Sequence, residues 1–308
     1  MVEIFLRTLP FFAIIGLGFW AARIQFFSAE ATAYITRFVF YFALSAMLFR
    51  FAANLEFAEV FDGRLIAGYL FGCAVVYAFA TTVALLRRVD VQTAAIEAQC
   101  AVIGNTGFLG LPMFVMLFGE EAIGPLVLVL ATDLIVFSSL IVIIIHSARD
   151  RRMNPAILKT IGMGLLRNPM ILSISAGLIW SALKMPIPLP FNDFLNILGG
   201  AATPGALFAI GASLAGKSAE RIRIAAWLTC CKLVLHPLFV GIGVLLLFPI
   251  DRFSATTVIS AAALPVAGNV FMLAQHYGIA PHRVSAAILF STALSILSVP
   301  LVISWVQG

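Results

Sequence analysis

Ten apolar runs fill most of this 308-residue chain, and each is long enough to cross a lipid bilayer. A helix needs roughly 20 mainly apolar residues to span a hydrocarbon core of about 30 Å. A membrane β-barrel would instead show segments of about ten residues with alternating polarity. The runs cover residues 4–22, 31–53, 64–86, 92–119, 121–146, 168–184, 194–214, 222–248, 254–276 and 283–305. The pattern predicts an all-α polytopic membrane protein with ten transmembrane helices.

The composition and the connections fit this class. Hydrophobic residues make up 62% of the chain and charged residues only 11%, which leaves too little polar surface for a soluble protein. The longest connection divides the chain into a first five-helix half at 1–146, a basic loop at 147–167 and a second five-helix half at 168–308. HExxH, GxSxG and paired intramembrane aspartates are all missing from the sequence, so an enzyme is not expected. The four cysteines lack the spacing of a metal or redox motif.

The positive charges predict the orientation. If the central loop is cytoplasmic, twelve Lys and Arg residues lie in loops on that side and three on the other. The twelve are Arg23, Arg87, Arg88, Arg149, Arg151, Arg152, Lys159, Arg167, Lys217, Arg221, Arg223 and Arg283, and the three are Arg64, Lys184 and Arg252. Because cytoplasmic loops are enriched in Lys and Arg, both termini should face outside. This asymmetry also explains the net charge of +5 without a nucleic-acid partner.

The two halves share a weak internal repeat. Pro10 and Gly18 in the first helix match Pro169 and Gly177 in the sixth, with an offset of 159 residues. Leu48 and Phe49 in the second helix match Leu207 and Phe208 in the seventh with the same offset. Because each half has an odd number of helices, a duplicated half must be inserted upside down relative to its copy. The sequence therefore predicts two inverted five-helix repeats, as in many transporters.

Each half also carries residues that interrupt a helix in the middle of an apolar run. The fourth run contains GNTGFLGLP at 104–112, and the ninth contains LPVAGN at 264–269. Proline removes a backbone donor and glycine permits non-helical backbone, so both helices should open near the bilayer midplane. The amides freed at the start of a half-helix suit an anion. Two kinked helices packed through glycine are the structural alternative.

These two interruptions define the predicted substrate site. Asparagine and threonine side chains next to the freed backbone can donate or accept hydrogen bonds. Prolines should set the geometry of the breaks, and glycines should allow the substrate to approach closely. The predicted substrate-binding residues are Gly104, Asn105, Thr106, Gly107, Pro112, Pro265, Gly268 and Asn269. No metal site is predicted.

Ionisable residues inside the apolar runs form a second set of candidates, because such residues are rare in membranes and often functional. Lys232 and His236 lie one turn apart in the eighth helix, and Asp133 lies at a similar depth in the fifth. One interpretation of Lys232 is functional: it assists anion binding or mimics a coupling cation. The alternative is a structural cation that is held by backbone carbonyls or by Asp133. Glu97 is interpreted as a carboxylate near a helix end that water reaches, with proton coupling as the alternative.

At these motifs the chain resembles the auxin efflux carrier family of membrane permeases. The resemblance rests on GNTGFLGLP at 104–112, LPVAGNVFMLAQHYG at 264–278, RNPMILSISAGLIWS at 167–181, PGALFAIGASLAG at 204–216 and KLVLHPL at 232–238. It implies two inverted five-helix repeats whose broken fourth and ninth helices cross at the midplane, similar to the bile acid sodium symporter architecture. Ser45 departs from the family, which usually has proline there, so a straighter second helix is expected.

The resemblance also implies a function. Family members move organic acid anions, with malonate or malate as bacterial substrates and auxin as the plant substrate. The short central segment favours a permease of the bacterial inner membrane over a plant auxin carrier. The expected protein is a secondary transporter for a small mono- or dicarboxylate that works by alternating access. The alternative is a sodium- or proton-coupled symporter of the same architecture for a sterol or another solute. No cofactor is expected, and coupling to Na⁺ or H⁺ and a homodimer are left open.

Overall fold

The computed structural model describes residues 2–55, 61–150, 156–216 and 222–307, and throughout these ranges the regular secondary structure is helical. Seven of the helices are long and apolar enough to cross a membrane, or eight if one bent pair counts as a single span. The chain is therefore an integral, multi-pass membrane protein. Four of the basic residues predicted to be cytoplasmic, namely Arg151, Arg152, Lys217 and Arg221, lie outside the described residues.

Thirteen helical segments follow one another along the described chain. They are α1 (Val2–Arg23), α2 (Ala29–Asn54), α3 (Gly63–Leu86), α4 (Val91–Val102), α5 (Thr106–Phe118), α6 (Glu120–Ala148), α7 (Ala156–Leu166), α8 (Pro169–Ala182), α9 (Leu189–Ala215), α10 (Ile222–Leu247), α11 (Arg252–Ala262), α12 (Gly268–Tyr277) and α13 (Pro281–Gln307). Short π-helical turns interrupt α2, α6 and α10 and begin α5. The spans of α4 with α5 and of α11 with α12 match the fourth and ninth apolar runs, and each is interrupted.

Polar caps determine where several helices begin. The carboxylate of Asp90 accepts a hydrogen bond from the Thr93 amide at 2.9 Å, and that of Asp251 accepts one from the Ser254 amide at 2.8 Å. These caps satisfy amides that the first helical turn leaves without partners. Both interrupted spans therefore start in the same way, directly after an aspartate that accepts a hydrogen bond from the amide three residues later.

The helices pack in two groups. In the first group, α1 packs against α9, and α2 packs against both α8 and α9. In the second group, α3 packs against α4 and α10, while α13 packs against α10, α11 and α12. The helix α6 joins the second group through α4 and α11. The helices α4, α11 and α12 belong to the second group, whereas α5 packs against α6 of the second group and against α1 and α9 of the first. Contacts between α1 and α13 also connect the two groups.

Two glycines at equivalent positions of the sequence repeat allow the helices of the first group to pack closely. A Cβ atom at Gly18 would lie 3.0 Å from the amide nitrogen of Ala212, and one at Gly177 would lie 3.0 Å from the amide nitrogen of Ala53. Both positions also lie against a carbonyl group, of Phe208 and of Phe49 respectively. Each of these pairs of equivalent residues is separated by 159 positions. Glycine at both sites allows the helices to approach at backbone distance, as small residues do in membrane proteins.

The central segment differs from the sequence prediction. Residues 147–167 were expected to form a loop, but α7 occupies Ala156–Leu166. It is bent by 70° from α8 across a break at Arg167 and Asn168. The side-chain oxygen of Asn168 accepts a hydrogen bond from the Met170 amide at 3.0 Å and thereby caps the N-terminus of α8. A proline at the next position is tolerated in the first turn, so the bend falls where the sequence begins a new helix.

Candidate functional site

The two interruptions meet and pair through their backbones. Gly104, between α4 and α5, faces Val266, between α11 and α12, as an isolated antiparallel bridge. The Asn105 amide donates to the Pro265 carbonyl oxygen at 2.9 Å, and the Ala267 amide donates to the Ile103 carbonyl oxygen at 3.1 Å. Unsatisfied backbone groups inside a membrane cost several kcal/mol each. Each break therefore satisfies groups that the other break exposes.

The first break is shorter than the sequence suggested. Only residues 103–105 leave the helical conformation. The sequence had predicted an interruption over residues 104–112. Pro112 lies within α5, where the π-helical turn Thr106–Gly110 is followed by the α-helical stretch Leu111–Phe118, so it is outside the break. Its predicted role in setting the geometry of the break is therefore not supported by its position. Pro265 does lie within the second break.

A cavity of about 380 Å³ adjoins the paired breaks. Its lining includes six of the residues singled out in the sequence, namely Gly104, Asn105, Gly107, Asp133, Gly268 and Asn269. Five others that were singled out do not line it, namely Thr106, Pro112, Lys232, His236 and Pro265. The volume is within the range of sites for small molecules. The structure therefore brings one asparagine from each break to the same cavity.

Free backbone donors point to the kind of ligand the cavity suits. Among the residues that the structure describes, the amides of Gly268 and Asn269 have no hydrogen-bond acceptor, and α12 begins there without a side-chain cap. The side-chain oxygen Oδ1 of Asn269 also has no partner in the described chain. A helix N-terminus carries partial positive charge, so the two backbone amides favour an anion.

The rest of the cavity wall is largely apolar. The rings of Phe40 in α2 and Phe108 in α5 stack with their centroids 6.0 Å apart, and both line the cavity. Phe40 comes from the first group of helices and Phe108 from α5, which packs against both groups, so the cavity lies where the groups meet. Gly164 at one end of α7 and His276 at the end of α12 line its other side and are exposed. The cavity therefore opens toward the side on which α7 lies.

Asp133 is the carboxylate that lines the cavity. It is buried, and its Oδ1 atom accepts a hydrogen bond from the Tyr69 hydroxyl at 2.8 Å. Its Oδ2 atom has no hydrogen-bond partner among the described residues. A buried carboxylate oxygen without a partner is costly, which marks this atom as one that a proton, a water molecule or a ligand would satisfy.

Lys232 and His236 lie close together, and Lys232 forms no ion pair with Asp133. The Lys232 ammonium contacts the His236 Nδ1 atom at 2.8 Å and the carbonyl oxygen of Ala262. The His236 Nε2 atom lies 3.1 Å from the Cys73 Sγ atom. The ion pairs between described residues do not include Lys232 with Asp133. Of the two structural partners considered for Lys232, the observed contact is with a backbone carbonyl.

Glu97 is in a different environment from the one expected. It was interpreted as a carboxylate that water reaches, but the side chain is fully buried. Its two oxygens pair with Arg87, which directly follows α3, and with Arg283 in α13. Burial of a charge is tolerated where opposite charges and hydrogen bonds compensate it. Glu97 therefore links α4, which carries it, to the end of α3 and to α13.

Three further residues at this site were missed in the sequence. The Ser291 hydroxyl accepts a hydrogen bond from the Val266 amide at 3.0 Å and so supports the second break. Tyr69 donates to Asp133, and Phe40 lines the cavity. Each is a common residue within a long apolar run, and no local pattern distinguishes it. Only the packing of distant helices brings these residues to the crossover.

Comparison with known proteins gives similarity along nearly the whole chain. A sequence model for a family described as "Membrane transport protein" matches residues 3–303. The "Putative malonate transporter" of Rhizobium meliloti (strain 1021) is 32% identical over 305 residues, which cover 97% of this chain and 94% of that protein. An "Uncharacterized transporter" of Methanothermobacter thermautotrophicus is 24% identical and covered over 95% of its length. The "Lysosomal cholesterol signaling protein" of Mus musculus is 26% identical, and the match spans 36% of it.

Proposed function

Because the chain belongs to the membrane transport protein family, it is a membrane transporter, and we propose that it carries a small organic acid anion. The membership confirms the family resemblance that the sequence motifs carry. A mono- or dicarboxylate such as malonate or malate is the proposed substrate. The relative named for malonate, which matches this chain over nearly the full length of both proteins, supports this choice.

One observation carries the proposal, namely the free amides of Gly268 and Asn269 at the wall of the cavity. A carboxylate bound there would accept hydrogen bonds from a helix N-terminus, and the carboxamides of Asn269 and Asn105 would supply further donors. The stacked rings of Phe40 and Phe108 would contact the carbon skeleton. A second carboxylate group on a dicarboxylate would reach toward the exposed end of the cavity near His276.

We further propose that the architecture is two inverted five-helix repeats with ten membrane segments. In this arrangement α4 with α5 forms the broken fourth segment and α11 with α12 the broken ninth. The equivalent contacts of Gly18 with Phe208 and of Gly177 with Phe49 support it, because a twofold relation between the halves would generate one from the other. The matched caps at Asp90 and Asp251, 161 residues apart, also support it.

Transport would proceed by alternating access. The two helix groups would move relative to each other while the paired breaks stay together, since backbone hydrogen bonds link them. With the central segment in the cytoplasm and both termini outside, the cavity near α7 opens inward. The proposed location is the bacterial inner membrane. Rigid-body motion of one group around a fixed site is the usual mechanism in carriers with broken helices.

Uptake into proteoliposomes tests the proposal. Purified protein is reconstituted and exposed to radiolabelled malonate, malate, acetate and a neutral solute such as glycerol, with and without a sodium or pH gradient. We expect saturable uptake of at least one carboxylate and no uptake of glycerol beyond that of empty liposomes. Equal fluxes of all these solutes in protein-containing and empty liposomes would overturn the proposal.

A further inference from the structure

Asp133 places an acidic side chain in the wall of a cavity that the proposed function assigns to an anion. The residue is only 3% exposed, and its Oδ1 atom accepts a hydrogen bond from the Tyr69 hydroxyl at 2.8 Å. Its Oδ2 atom has no hydrogen-bond partner among the described residues. Buried polar atoms are nearly always hydrogen-bonded in folded proteins. The protein therefore satisfies one oxygen of this carboxyl group and leaves the other for something that enters through the cavity.

Two helices bring the titratable neighbours of this carboxyl group. Tyr69 and Cys73 lie beside it on α3. Lys232 on α10 interacts with it through space, but the ion pairs between described residues do not include these two. His236 contacts Lys232 and packs against the ring of Tyr69. One positive charge therefore faces the single negative charge of Asp133 before an anion binds.

The other helices packed against α6 bring no further charge to Asp133 within the described ranges. These helices are α4, α5, α7 and α11, and α5 has no titratable side chain. Glu97 of α4 is paired with two arginines. Lys159 of α7 and Arg252 of α11 are exposed, as is His276 of α12 on the open side of the cavity. The charge balance at the inner wall is thus set by Asp133 and its neighbours on α3 and α10.

A bound carboxylate adds a second negative charge to this balance. Gly268 and Asn269, whose amides are free, line the same cavity as Asp133. A cavity of about 380 Å³ is roughly 9 Å across, and repulsion between like charges at that separation weakens binding on the order of tenfold. Two carboxylates that share a buried site are stabilised when one of them takes up a proton. Lys232 offsets one of the two negative charges, and a proton on Asp133 would remove the other.

We propose that Asp133 is a proton-binding site and that a proton binds at its Oδ2 atom together with the anion, so that the protein is a proton–anion symporter. The proposal rests on the proposed carrier function. The step forms one O–H bond on the Asp133 carboxylate. The proton comes from water on the side to which the cavity is open, and it returns to water on the other side when the anion leaves. A protonated carboxyl group can also donate a hydrogen bond, whereas an ionised one repels the substrate.

Proton uptake on binding tests this site without transport. Malonate and acetate are titrated into the purified protein in detergent at several pH values between 6 and 8.5. Calorimetry in two buffers with different heats of ionisation gives the number of protons taken up for each anion bound. At the pH of its maximum, the wild type should take up about one proton with either anion, because binding of the anion favours the protonated form of Asp133.

Asp133→Asn is the variant that isolates the carboxyl group. Its amide keeps an acceptor for the Tyr69 hydroxyl and resembles the protonated acid. The variant should take up no proton with acetate. It should bind malonate about tenfold more tightly than the wild type at pH 8.5 and about as tightly at pH 6. Asp193→Asn, at an exposed aspartate of α9 that does not line the cavity, is the matched control and should behave as the wild type.

Transport gives a second readout of the same site. Proteoliposomes with the membrane potential clamped at zero are prepared with an interior at pH 8 and an exterior at pH 6, and empty liposomes correct for diffusion of the undissociated acid. The wild type should accumulate malonate above the outside concentration. Asp133→Asn should exchange internal for external malonate but should not accumulate it, because no proton accompanies the anion.

Two results would overturn the inference. One is a wild-type protein that binds acetate and malonate without taking up a proton, a measurement that requires no variant to fold. The other is proton uptake that persists in Asp133→Asn with acetate, which would place the proton elsewhere. Saturable malonate uptake that ignores the pH gradient also contradicts the proton site but leaves the carrier function standing. Failure of every carboxylate to bind or enter contradicts the carrier function, and the proton site with it.

Discussion

Gly18 in α1 lies directly against the backbone of Phe208 in α9, where no side chain would fit. The equivalent pair, 159 residues away in each case, is Gly177 against Phe49. Residues that match in the sequence repeat therefore also form equivalent contacts in the two halves. This relation between α1 and α9 and between α8 and α2 leads to the first prediction.

Alanine at either glycine should destabilise the protein, whereas alanine at Gly16 should not. A Cβ atom at Gly18 or Gly177 would collide with backbone atoms, while one at Gly16 would have no neighbour within 4 Å. Overpacking of this kind costs about 1–3 kcal/mol. Melting temperatures in detergent would measure the effect, with Gly16→Ala as the matched control in the same helix as Gly18. Equal stability of all three variants would refute the close packing.

The two asparagines at the cavity should each contribute to substrate binding. Removing a hydrogen bond to a charged ligand costs about 1.5–3 kcal/mol, which corresponds to a tenfold to hundredfold loss of affinity. We expect losses of that size in Asn105→Ala and Asn269→Ala, measured as the half-saturating malonate concentration in proteoliposomes. Asn196→Ala, an exposed asparagine in α9 that does not line the cavity, is the control. Wild-type affinity in both cavity variants would leave the paired breaks as structural kinks.

Replacing Glu97 by Gln should destabilise the fold strongly. The substitution keeps the shape but leaves the guanidinium groups of Arg87 and Arg283 without their shared carboxylate. Breaking a buried ion pair from one side costs about 3 kcal/mol. Glu120→Gln is the matched control, because Glu120 is exposed and lies 3.7 Å from Arg50. An exposed pair contributes less than about 1 kcal/mol, so a similar loss of stability in both variants would argue against this assignment.

The orientation can be measured with single cysteines. Exposed Cys230 is first replaced by serine, and the other three cysteines are buried. Cysteines introduced at Lys159 in α7 and at Gln307 at the end of α13 should then react with an impermeant maleimide from opposite sides of the membrane. The excess of positive charge in the central segment predicts that Lys159 lies inside. Labelling of both positions from the same side would mean that the number of crossings is not ten.

The helix interruptions could be predicted because their cause is local. Gly104 and Pro265 disrupt helices in runs that are otherwise uniformly apolar, and the structure breaks at both. The extent of the first break could not be predicted, because Pro112 lies inside α5 and the helix continues past it after a π-helical turn. The pairing of Gly104 with Val266 could likewise not be predicted from the sequence, because it depends on two segments about 160 residues apart.

Contacts between distant segments account for the other differences. Glu97 looked accessible because its position near a helix end is visible in the sequence, but Arg87 and Arg283 are brought to it only by packing. Lys232 was weighed against Asp133 as a partner at similar depth. The structure instead presents it to the end of α11, since the direction in which a side chain leaves its helix depends on how that helix is rotated in the bundle. Depth alone does not determine this rotation.

The exchange of hydrogen bonds between the two breaks has a consequence for the ancestry of the protein. Asn105 donates to Pro265 and Ala267 donates to Ile103, so neither half can satisfy its own interrupted backbone. On the proposed inverted-repeat architecture, a half-length ancestor would have needed a second copy of itself, inserted in the opposite direction, to bury these groups. Fusion of two copies would have fixed the two orientations and allowed the basic residues to accumulate on one side.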